Sequence, residues 1–326
     1  MPIGTLALLE GLIKYAPNKE AFAELMLLKE CTYSRMIDYD NPDFKEVLTS
    51  RGTGRGNISP IIDLEVAYRA AVNMEICAPD LSRICGIALY RESEDNPMSV
   101  RDHQTFWLGA KTNLKGYNPT APDAVLPALA DISAYLYNDQ NTDPLIKAAL
   151  VHYQFEMIHP FERYNGIVGR IIVPMMLSDI AREAKLLICL SEYLYHNKNE
   201  YFDLLRSTQY SGGYIRWIKF FVNAVGEVAK KSAKLMTQYE RIIALDEHRL
   251  TEIGKSTKSI FEIYNYLKDT PITTITVAER NLGFSFNTVS KLFHSLQGYG
   301  IVECHLPSYR NRVFRYSELE NLICAD

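Results

Sequence analysis

Residues 156–180 read EMIHPFERYNGIVGRIIVPMMLSDI, and this stretch decides the fold. A helical pattern of apolar residues stops at the His159-Pro160 pair and resumes after the Asn165-Gly166 pair. Proline ends the first helix because it has no backbone N–H to donate, and glycine tolerates the turn that follows. The stretch therefore predicts two helices joined by a short irregular loop.

The predicted loop has the chemistry of a phosphate site. A helix that begins near Ile167 directs its unpaired N–H groups and its positive dipole end into the loop. Gly166 lets the backbone approach a ligand, and the guanidinium of Arg170 reaches back toward the same place. His159, across the loop, has an ordinary pKa suited to a general base. The same spacing also fits a simpler interpretation, in which Asn165 caps a helix and Arg170 makes a surface ion pair.

The segment HPFERYNGIVGR at 159–170 resembles the Fic family signature HPFx[DE]GN[GK]RxxR. Six of the nine defined positions are retained: His159, Pro160, Phe161, Asn165, Gly166 and Arg170. The similarity extends over about residues 25–230, through LIKAALVHYQFEMIHPF before the loop and LSEYLYHNKNEYFDLL after it. This resemblance implies an all-α, mainly helical domain with a short β-hairpin flap.

The resemblance also implies an activity. Most characterised Fic proteins use ATP and Mg²⁺ to transfer AMP to a Tyr, Thr or Ser hydroxyl of a target protein. By this resemblance His159 deprotonates the target hydroxyl, the Asn165-Gly166 backbone holds the α- and β-phosphates, and Arg170 contacts the distal phosphate. The nucleotide-binding residues implied in this way are Asn165, Gly166, Gly169, Arg170, Glu162 and Asn199.

Three positions depart from the family signature. Arg163 replaces the acidic residue that ligates Mg²⁺, Tyr164 replaces the first glycine, and Ile167 replaces the first arginine. An arginine cannot coordinate a cation, so no metal ligand is assigned, although Glu162 is adjacent. The sequence therefore predicts a weakened protein adenylyltransferase. The alternatives are a degenerate regulatory protein that binds a nucleotide or a partner, and a protein with another phosphoryl-type transfer.

Two further segments resemble regulatory parts of Fic proteins. The polar stretch 105–121 occupies the place of the target-docking flap, with Trp107, Gly109 and Tyr117 as candidates; a surface loop fits it equally. The segment KECTYSRMIDYDN at 29–41 resembles the family's inhibitory helix, [ST]xxxE[GN]. Ser34 and Asp38 match this pattern in part, and the Asp38 carboxylate could pair with Arg170 or remain a solvated helix-end residue.

The sequence predicts four regions. They are an N-terminal helical region at 1–95 with the inhibitory segment at 31–40, a Fic-like core at 96–235, a connecting helix at 236–255 and a small C-terminal winged helix-turn-helix domain at 256–326. Three helical segments followed by the alternating strands IVECH and RVFRY indicate the winged helix. Basic and acidic residues are equal in number there, so DNA contact through Asn287, Lys291, Arg310 and Arg312 competes with a packing or protein-contact role.

The composition of the chain limits its class and partners. Its 326 residues are 47% hydrophobic and 23% charged, which is typical of a globular protein. The net charge of −4 excludes a global positive field for nucleic acid or anionic membrane. Six scattered cysteines and the absence of a long apolar run predict a cytoplasmic protein without membrane contact. The predicted partners are a target protein's hydroxyl and a second copy of the chain.

Overall fold

The structure is a computed structural model that describes residues 2–39, 42–90, 97–105, 117–178, 180–252, 258–305 and 312–325. Within these ranges the chain is mainly helical, which confirms the predicted all-α class. The first ten helices are α1 (Pro2–Lys14), α2 (Lys19–Asp38), α3 (Phe44–Thr53), α4 (Ser59–Ala71), α5 (Ala78–Tyr90), α6 (Val125–Asn138), α7 (Pro144–Ile158), α8 (Asn165–Met176), α9 (Leu190–His196) and α10 (Lys198–Ser211).

The remaining elements include three short strands. They are α11 (Tyr214–Glu252), α12 (Lys258–Asp269), β1 (Ile272–Thr274), α13 (Ile275–Leu282), α14 (Phe286–Gly298), β2 (Glu303–His305), β3 (Val313–Arg315) and α15 (Ser317–Cys324). Within the described ranges α11 is the longest helix, and none of the helices there is both long and apolar enough to cross a membrane.

The chain forms two compact units. The first contains Met1–Gly11, Leu27–Asn41 and Ser59–Lys231, and the second contains Leu12–Met26, Pro42–Ile58 and Ser232–Asp326. The domain boundaries that the sequence suggests stay predictions.

Helix α7 is the central helix of the first unit. Its N-terminus follows the usual rules, because the Asp143 carboxylate accepts from the backbone N–H of Leu145 (2.9 Å) and Pro144 has no N–H that would need an acceptor. It is buried on most sides, which explains why its sequence lacks a clear polar face. Trp217 is fully buried beside it and donates its indole N–H to the carbonyl of Ala149 (2.8 Å). The residues that follow α7 therefore start from a rigid support.

Helix α8 packs closely against α7. A Cβ atom at Gly169 would lie 2.3 Å from Oε1 of Glu156, so only glycine fits at this position. The Gly169 carbonyl is 2.8 Å from Nδ1 of the buried His152, whose Nε2 is 2.9 Å from the Tyr201 hydroxyl. A carbonyl only accepts, so Nδ1 carries the proton, and burial lowers the pKa of His152 to about 4, so the ring is neutral. His152 thus joins α7, α8 and α10.

The second unit contains a three-stranded antiparallel sheet in the order β1-β3-β2. Thr273 of β1 and Cys304 of β2 both pair with Phe314 of β3. The strands β2 and β3 fall within the two segments that the sequence marks as strands, whereas β1, three residues long, has no detectable pattern. The assignment of this unit to the winged-helix class stays a prediction.

Candidate active site

The loop between α7 and α8, residues 159–166, is called the motif loop below. The buried Asn165 side chain closes this loop by accepting from the backbone N–H of Phe161 (2.8 Å) and donating to its carbonyl (2.7 Å). Asn165 is the first residue of α8, so the interpretation of Asn165 as a helix cap is wrong. The cap position belongs to Tyr164, whose side chain makes no capping hydrogen bond. The Asn165 side chain thus fixes the shape of the loop, and its backbone forms the start of α8.

Two residues of the motif loop adopt left-handed backbone conformations. His159 has φ 50° and Tyr164 has φ 68°, the only positive φ values among described non-glycine residues. This region costs an L-residue about 1–2 kcal/mol, so the surrounding contacts must hold both residues in place. Tyr164 stands at the position of the signature glycine and keeps a glycine-like conformation despite its side chain.

His159 lies partly buried at the end of α7, where Arg101 fixes its main chain. The Arg101 side chain is itself buried and donates from Nε to the His159 carbonyl (2.7 Å) and from Nη2 to the Ile158 carbonyl (3.1 Å). Burial, with the Arg101 guanidinium acting in the same direction, lowers the pKa of His159 to about 4. His159 is therefore neutral near neutral pH, which is the state that accepts a proton.

The N-terminus of α8 forms an anion site, and the carboxylate of Asp38 occupies it. The Asp38 Oδ2 atom lies 2.5 Å from Nη2 of Arg170 and 3.1 Å from the place of a Cβ on Gly166. First-turn N–H groups and the helix dipole favour negative charge at this position. Arg170 is only 1% exposed, so the interpretation of a surface ion pair is wrong. The site holds an anion that the chain itself supplies.

Arg170 is bonded to α2 by more than one contact. Its Nε donates to the Ser34 hydroxyl (2.8 Å) and its Nη2 donates to the Ser34 carbonyl (2.9 Å). Burial alone would lower the pKa of Arg170, but the Asp38 carboxylate more than reverses this and raises it. The structure therefore brings together Ser34, Asp38 and Arg170, and the inhibitory role of the first two stays a prediction.

Residues 34–39, which are the last five residues of α2 and Tyr39 directly after it, are called the α2 end below. Arg35 donates to the Tyr164 hydroxyl (2.6 Å), and its guanidinium lies 4.8 Å from the Tyr39 ring centre and 5.5 Å from the Tyr164 ring centre. The Lys198 ammonium also donates to the carbonyl of Ile37. Cation–π contacts and charged hydrogen bonds of this kind stabilise a packed helix end. Tyr164, a departure from the signature, thus fastens the α2 end to the motif loop.

A buried network anchors α2 further back. The Glu30 carboxylate accepts from the Ser191 backbone N–H (2.8 Å), the Ser191 hydroxyl (2.5 Å) and the Tyr68 hydroxyl (2.7 Å). The neighbouring Lys29 pairs with Glu192 at 2.7 Å, with both side chains almost fully buried. Removing one partner of a buried pair is strongly destabilising, so this part of α2 is a fixed element.

Comparison with known proteins identifies the domain that carries this site. The model of the Fic/DOC family matches residues 77–177, which hold α7, α8 and the motif loop. The chain contains a Fic/DOC domain. The α2 end lies outside the matched residues, although it supplies the anion at the N-terminus of α8.

Individual relatives agree with this family. A stretch of 64 residues is 38% identical to Protein adenylyltransferase fic-1 of Caenorhabditis briggsae and covers 19% of this chain and 12% of that protein. A stretch of 113 residues is 28% identical to Probable protein adenylyltransferase aq_aa38 of Aquifex aeolicus and covers 35% of this chain and 31% of that protein. The chain thus spans less than a third of these relatives.

A solved structure shows the same fold over most of the chain. The crystal structure of a Fic family protein from Desulfovibrio desulfuricans has a TM-score of 0.58 at 14% identity. The match covers 96% of this chain and 95% of that chain. Identity this low establishes similarity of fold alone.

The metal position of the Fic domain does not fit Mg²⁺. Arg163 is exposed at this position, and Glu162, also exposed, lies 3.9 Å from Nε2 of His103. Mg²⁺ needs oxygen ligands in octahedral geometry, and no group of three potential ligand side chains occurs among the described residues. Gly166 and Arg170 at the N-terminus of α8 are called the phosphate end below. Ile167, at the position of the signature arginine, is fully buried in the core and contributes no charge there.

Two candidate nucleotide residues lie elsewhere. Gly169 faces Glu156 and Phe155 of α7, so the structure assigns it to helix packing, and its predicted nucleotide contact stays a prediction. Asn199 is exposed in the first turn of α10, and no hydrogen bond joins it to the motif loop within the described residues. Of the predicted set, the structure brings together Asn165, Gly166 and Arg170 with the catalytic candidate His159.

The candidates for target docking divide into two groups. Trp107 and Gly109 lie outside the described residues. Tyr117 is described and is 3% exposed, with its ring turned toward His159. A docking contact by the Tyr117 side chain is therefore excluded by burial, and a flap that uses backbone atoms of this segment stays a prediction.

The DNA candidates lie in the second unit. Asn287 and Lys291 are exposed on α14, whereas Arg310 lies outside the described residues. Arg312 is partly buried, with Nη1 3.5 Å from Nε2 of His294. Nothing in these positions tests DNA binding, which stays a prediction.

Sequence reasoning missed two residues that shape the Fic domain site. Arg101 lies 58 residues before His159, in a polar stretch without helical spacing. Arg35 lies 129 residues before Tyr164 and reads as an ordinary charged residue of a helix. The left-handed backbone conformation of Tyr164 is indicated in the sequence, because the family signature has glycine at that position and glycine adopts positive φ readily.

Proposed function

We propose that this chain is a protein adenylyltransferase of the Fic type, which transfers AMP from ATP to a Tyr, Thr or Ser hydroxyl of a target protein. The observation that carries this proposal is the anion site at the N-terminus of α8, where the Asp38 carboxylate lies on Gly166 and Arg170. The names of the related proteins support the same activity.

His159 is the general base of the proposed reaction. Its neutral imidazole takes the proton of the target hydroxyl, and the oxygen attacks the α-phosphorus of ATP. A new P–O bond to the target forms, the bond between the α- and β-phosphates breaks, and pyrophosphate leaves. Arg170 pairs with the phosphates after the α2 end has released it, so Ser34 and Asp38 inhibit the reaction in the arrangement described.

The phosphate end fits an anion, whereas Mg²⁺ does not fit the residues beside it. Arg163 repels a divalent cation, and the exposed Glu162 alone offers too few ligands. The proposal therefore involves no step through a metal. The same observation, together with the buried Ile167, supports a second candidate function, a regulatory protein that binds a nucleotide without transferring it.

The test is incubation of the purified chain with ATP labelled on the α-phosphate, as wild type, Asp38→Ala and Asp38→Ala/His159→Ala. A general base contributes roughly 10²- to 10⁴-fold to rate, so loss of His159 should abolish labelling. His103→Ala in the Asp38→Ala background is the matched control, because His103 is exposed beside Glu162 and has no assigned role.

Label that requires His159 supports the transferase. No label, with ATP binding still present by calorimetry, supports the nucleotide-binding protein instead. Absence of both label and binding overturns both candidates and directs attention to the second unit and its DNA candidates.

A further inference from the structure

The Tyr117 side chain contacts the ring of His159, the proposed base. Its hydroxyl oxygen lies 3.2 Å from Nδ1 of His159 and 3.0 Å from the main-chain oxygen of Glu156. The two rings meet edge to face with their centroids 6.1 Å apart. Tyr117 is 3% exposed, so solvent does not compete for these contacts. The hydroxyl is therefore a fixed partner of the histidine ring.

The direction of the hydrogen bonds follows from the proton inventory. A carbonyl oxygen only accepts, so the Tyr117 hydroxyl donates to Glu156. A phenol has one proton, so the Tyr117 oxygen acts as acceptor toward His159. The donor in that contact is Nδ1–H, because Nδ1 is the ring nitrogen that faces Tyr117. The contact geometry thus selects one of the two neutral tautomers.

The charge state of His159 agrees with this assignment. Burial and the Arg101 guanidinium lower the pKa of His159 to about 4. A hydrogen bond between His159 and the main chain of Glu156 acts in the opposite direction and raises that pKa. A neutral imidazole carries a single N–H, so a proton on Nδ1 leaves a lone pair on Nε2. Nε2 is then the nitrogen that accepts the target's proton.

We propose that Tyr117 is a positioning residue, which holds His159 in the Nδ1–H tautomer and so presents Nε2 as the base. Arg101 fixes the main chain of the same residue and Tyr117 fixes its ring, and together they keep the left-handed conformation of His159. The catalytic consequence rests on the proposed function, whereas the tautomer does not.

The decisive experiment is nuclear magnetic resonance of the full chain with nitrogen-15-labelled histidine. Long-range proton–nitrogen correlations distinguish the two tautomers, and His159→Gln assigns the signals of His159 among the seven histidines. We expect Nδ1–H for wild-type His159. His152, whose Nδ1 faces the Gly169 carbonyl, gives an internal reference for that tautomer. The Nε2–H tautomer at His159 in the wild type overturns the proposal.

Tyr117→Phe removes the hydroxyl and keeps the ring. We expect a larger Nε2–H share at His159, and in AMP transfer a roughly tenfold lower kcat with unchanged KM for ATP. Tyr153→Phe is the matched control, because Tyr153 is a buried tyrosine whose ring contacts Tyr214 and Trp217. An unchanged tautomer ratio in Tyr117→Phe, or an equal loss of kcat in both variants, overturns the proposal. A chain that shows the expected tautomers but transfers no AMP overturns the proposed function alone.

Discussion

The two ends of the motif loop are built differently. At the base end, His159 is neutral and is held by Arg101 and Tyr117, both within the matched Fic domain. At the phosphate end, Arg170 is held by Ser34 and Asp38 of α2, which lies outside the matched residues. In the proposed reaction the base end therefore needs no rearrangement, whereas the phosphate end would bind a nucleotide only after the α2 end has released Arg170.

The departures from the family signature lie on one side of this comparison. Arg163, Tyr164 and Ile167 all follow the His-Pro-Phe triplet and belong to the phosphate end. Only Tyr164 has a clear new role, since its hydroxyl accepts from Arg35 of α2. The signature residues His159, Pro160 and Phe161 are thus retained at the base end, and the departures lie at the phosphate end.

The largest expected effect comes from Arg163→Asp. This change returns a carboxylate to the metal position at an exposed residue, so the core is not disturbed. A bound divalent cation supplies several kcal/mol of transition-state stabilisation, so Mg²⁺-dependent AMP transfer should rise about a hundredfold. Arg163→Ala removes the same positive charge without adding a ligand. Equal rates for the two variants, measured by label transfer, would contradict a missing metal ligand.

The next effect is expected from Asp38→Ala. This change removes the carboxylate that occupies the anion site, and a hydrogen bond to a charged group is worth about 1.5–3 kcal/mol. Nucleotide affinity measured by calorimetry should therefore rise at least about tenfold. Asp38→Asn keeps the side-chain size and loses the charge, so its nucleotide affinity should lie between those of the wild type and Asp38→Ala. Unchanged affinity in Asp38→Ala would show that the carboxylate does not compete with phosphate.

A smaller effect is expected from Tyr164→Phe, at the place where Arg35 contacts the rings of Tyr39 and Tyr164. Tyr164→Phe removes the hydroxyl that accepts from Arg35 and should lower the free energy of unfolding by about 1 kcal/mol, as measured in urea. Tyr39→Phe is the control, because the Tyr39 ring contacts the same guanidinium through its face. Equal losses in both variants would remove the special role of the Tyr164 hydroxyl.

The smallest effect is expected for pH. The pKa of His159 is lowered from 6.5 to about 4, so the base stays neutral and the transfer rate should change less than about twofold between about pH 6 and about pH 8. Because the folded pKa lies below the unfolded one, the contribution of His159 to stability falls as pH drops from 6.5 through 4. A rate that rises with a midpoint near pH 6.5 would show an unshifted base.

The sequence predicts the helix, loop and helix that carry this site, because the rules behind that prediction are local. A Pro-ended helix, a short loop and a new helix follow from residues a few positions apart, and the pairing of Arg170 with an acidic residue of α2 was an explicit possibility. Gly169 is a nucleotide candidate by the family resemblance, and the close approach of α7 excludes any other residue there. That lack of space for a side chain at Gly169 is visible only in the packing of α8 against α7.

The amino-acid sequence by itself determined the mainly helical class, the position of the motif loop and the identity of His159 and Arg170. The tertiary structure decided which partners they have. Arg101, Tyr117 and Arg35 act through hydrogen bonds to residues 58, 42 and 129 positions away. Helical and strand periodicity record which face of an element is buried, but a polar contact between distant segments leaves no period in the sequence. Such a contact exists only after the chain has folded and burial has removed water as the competing partner.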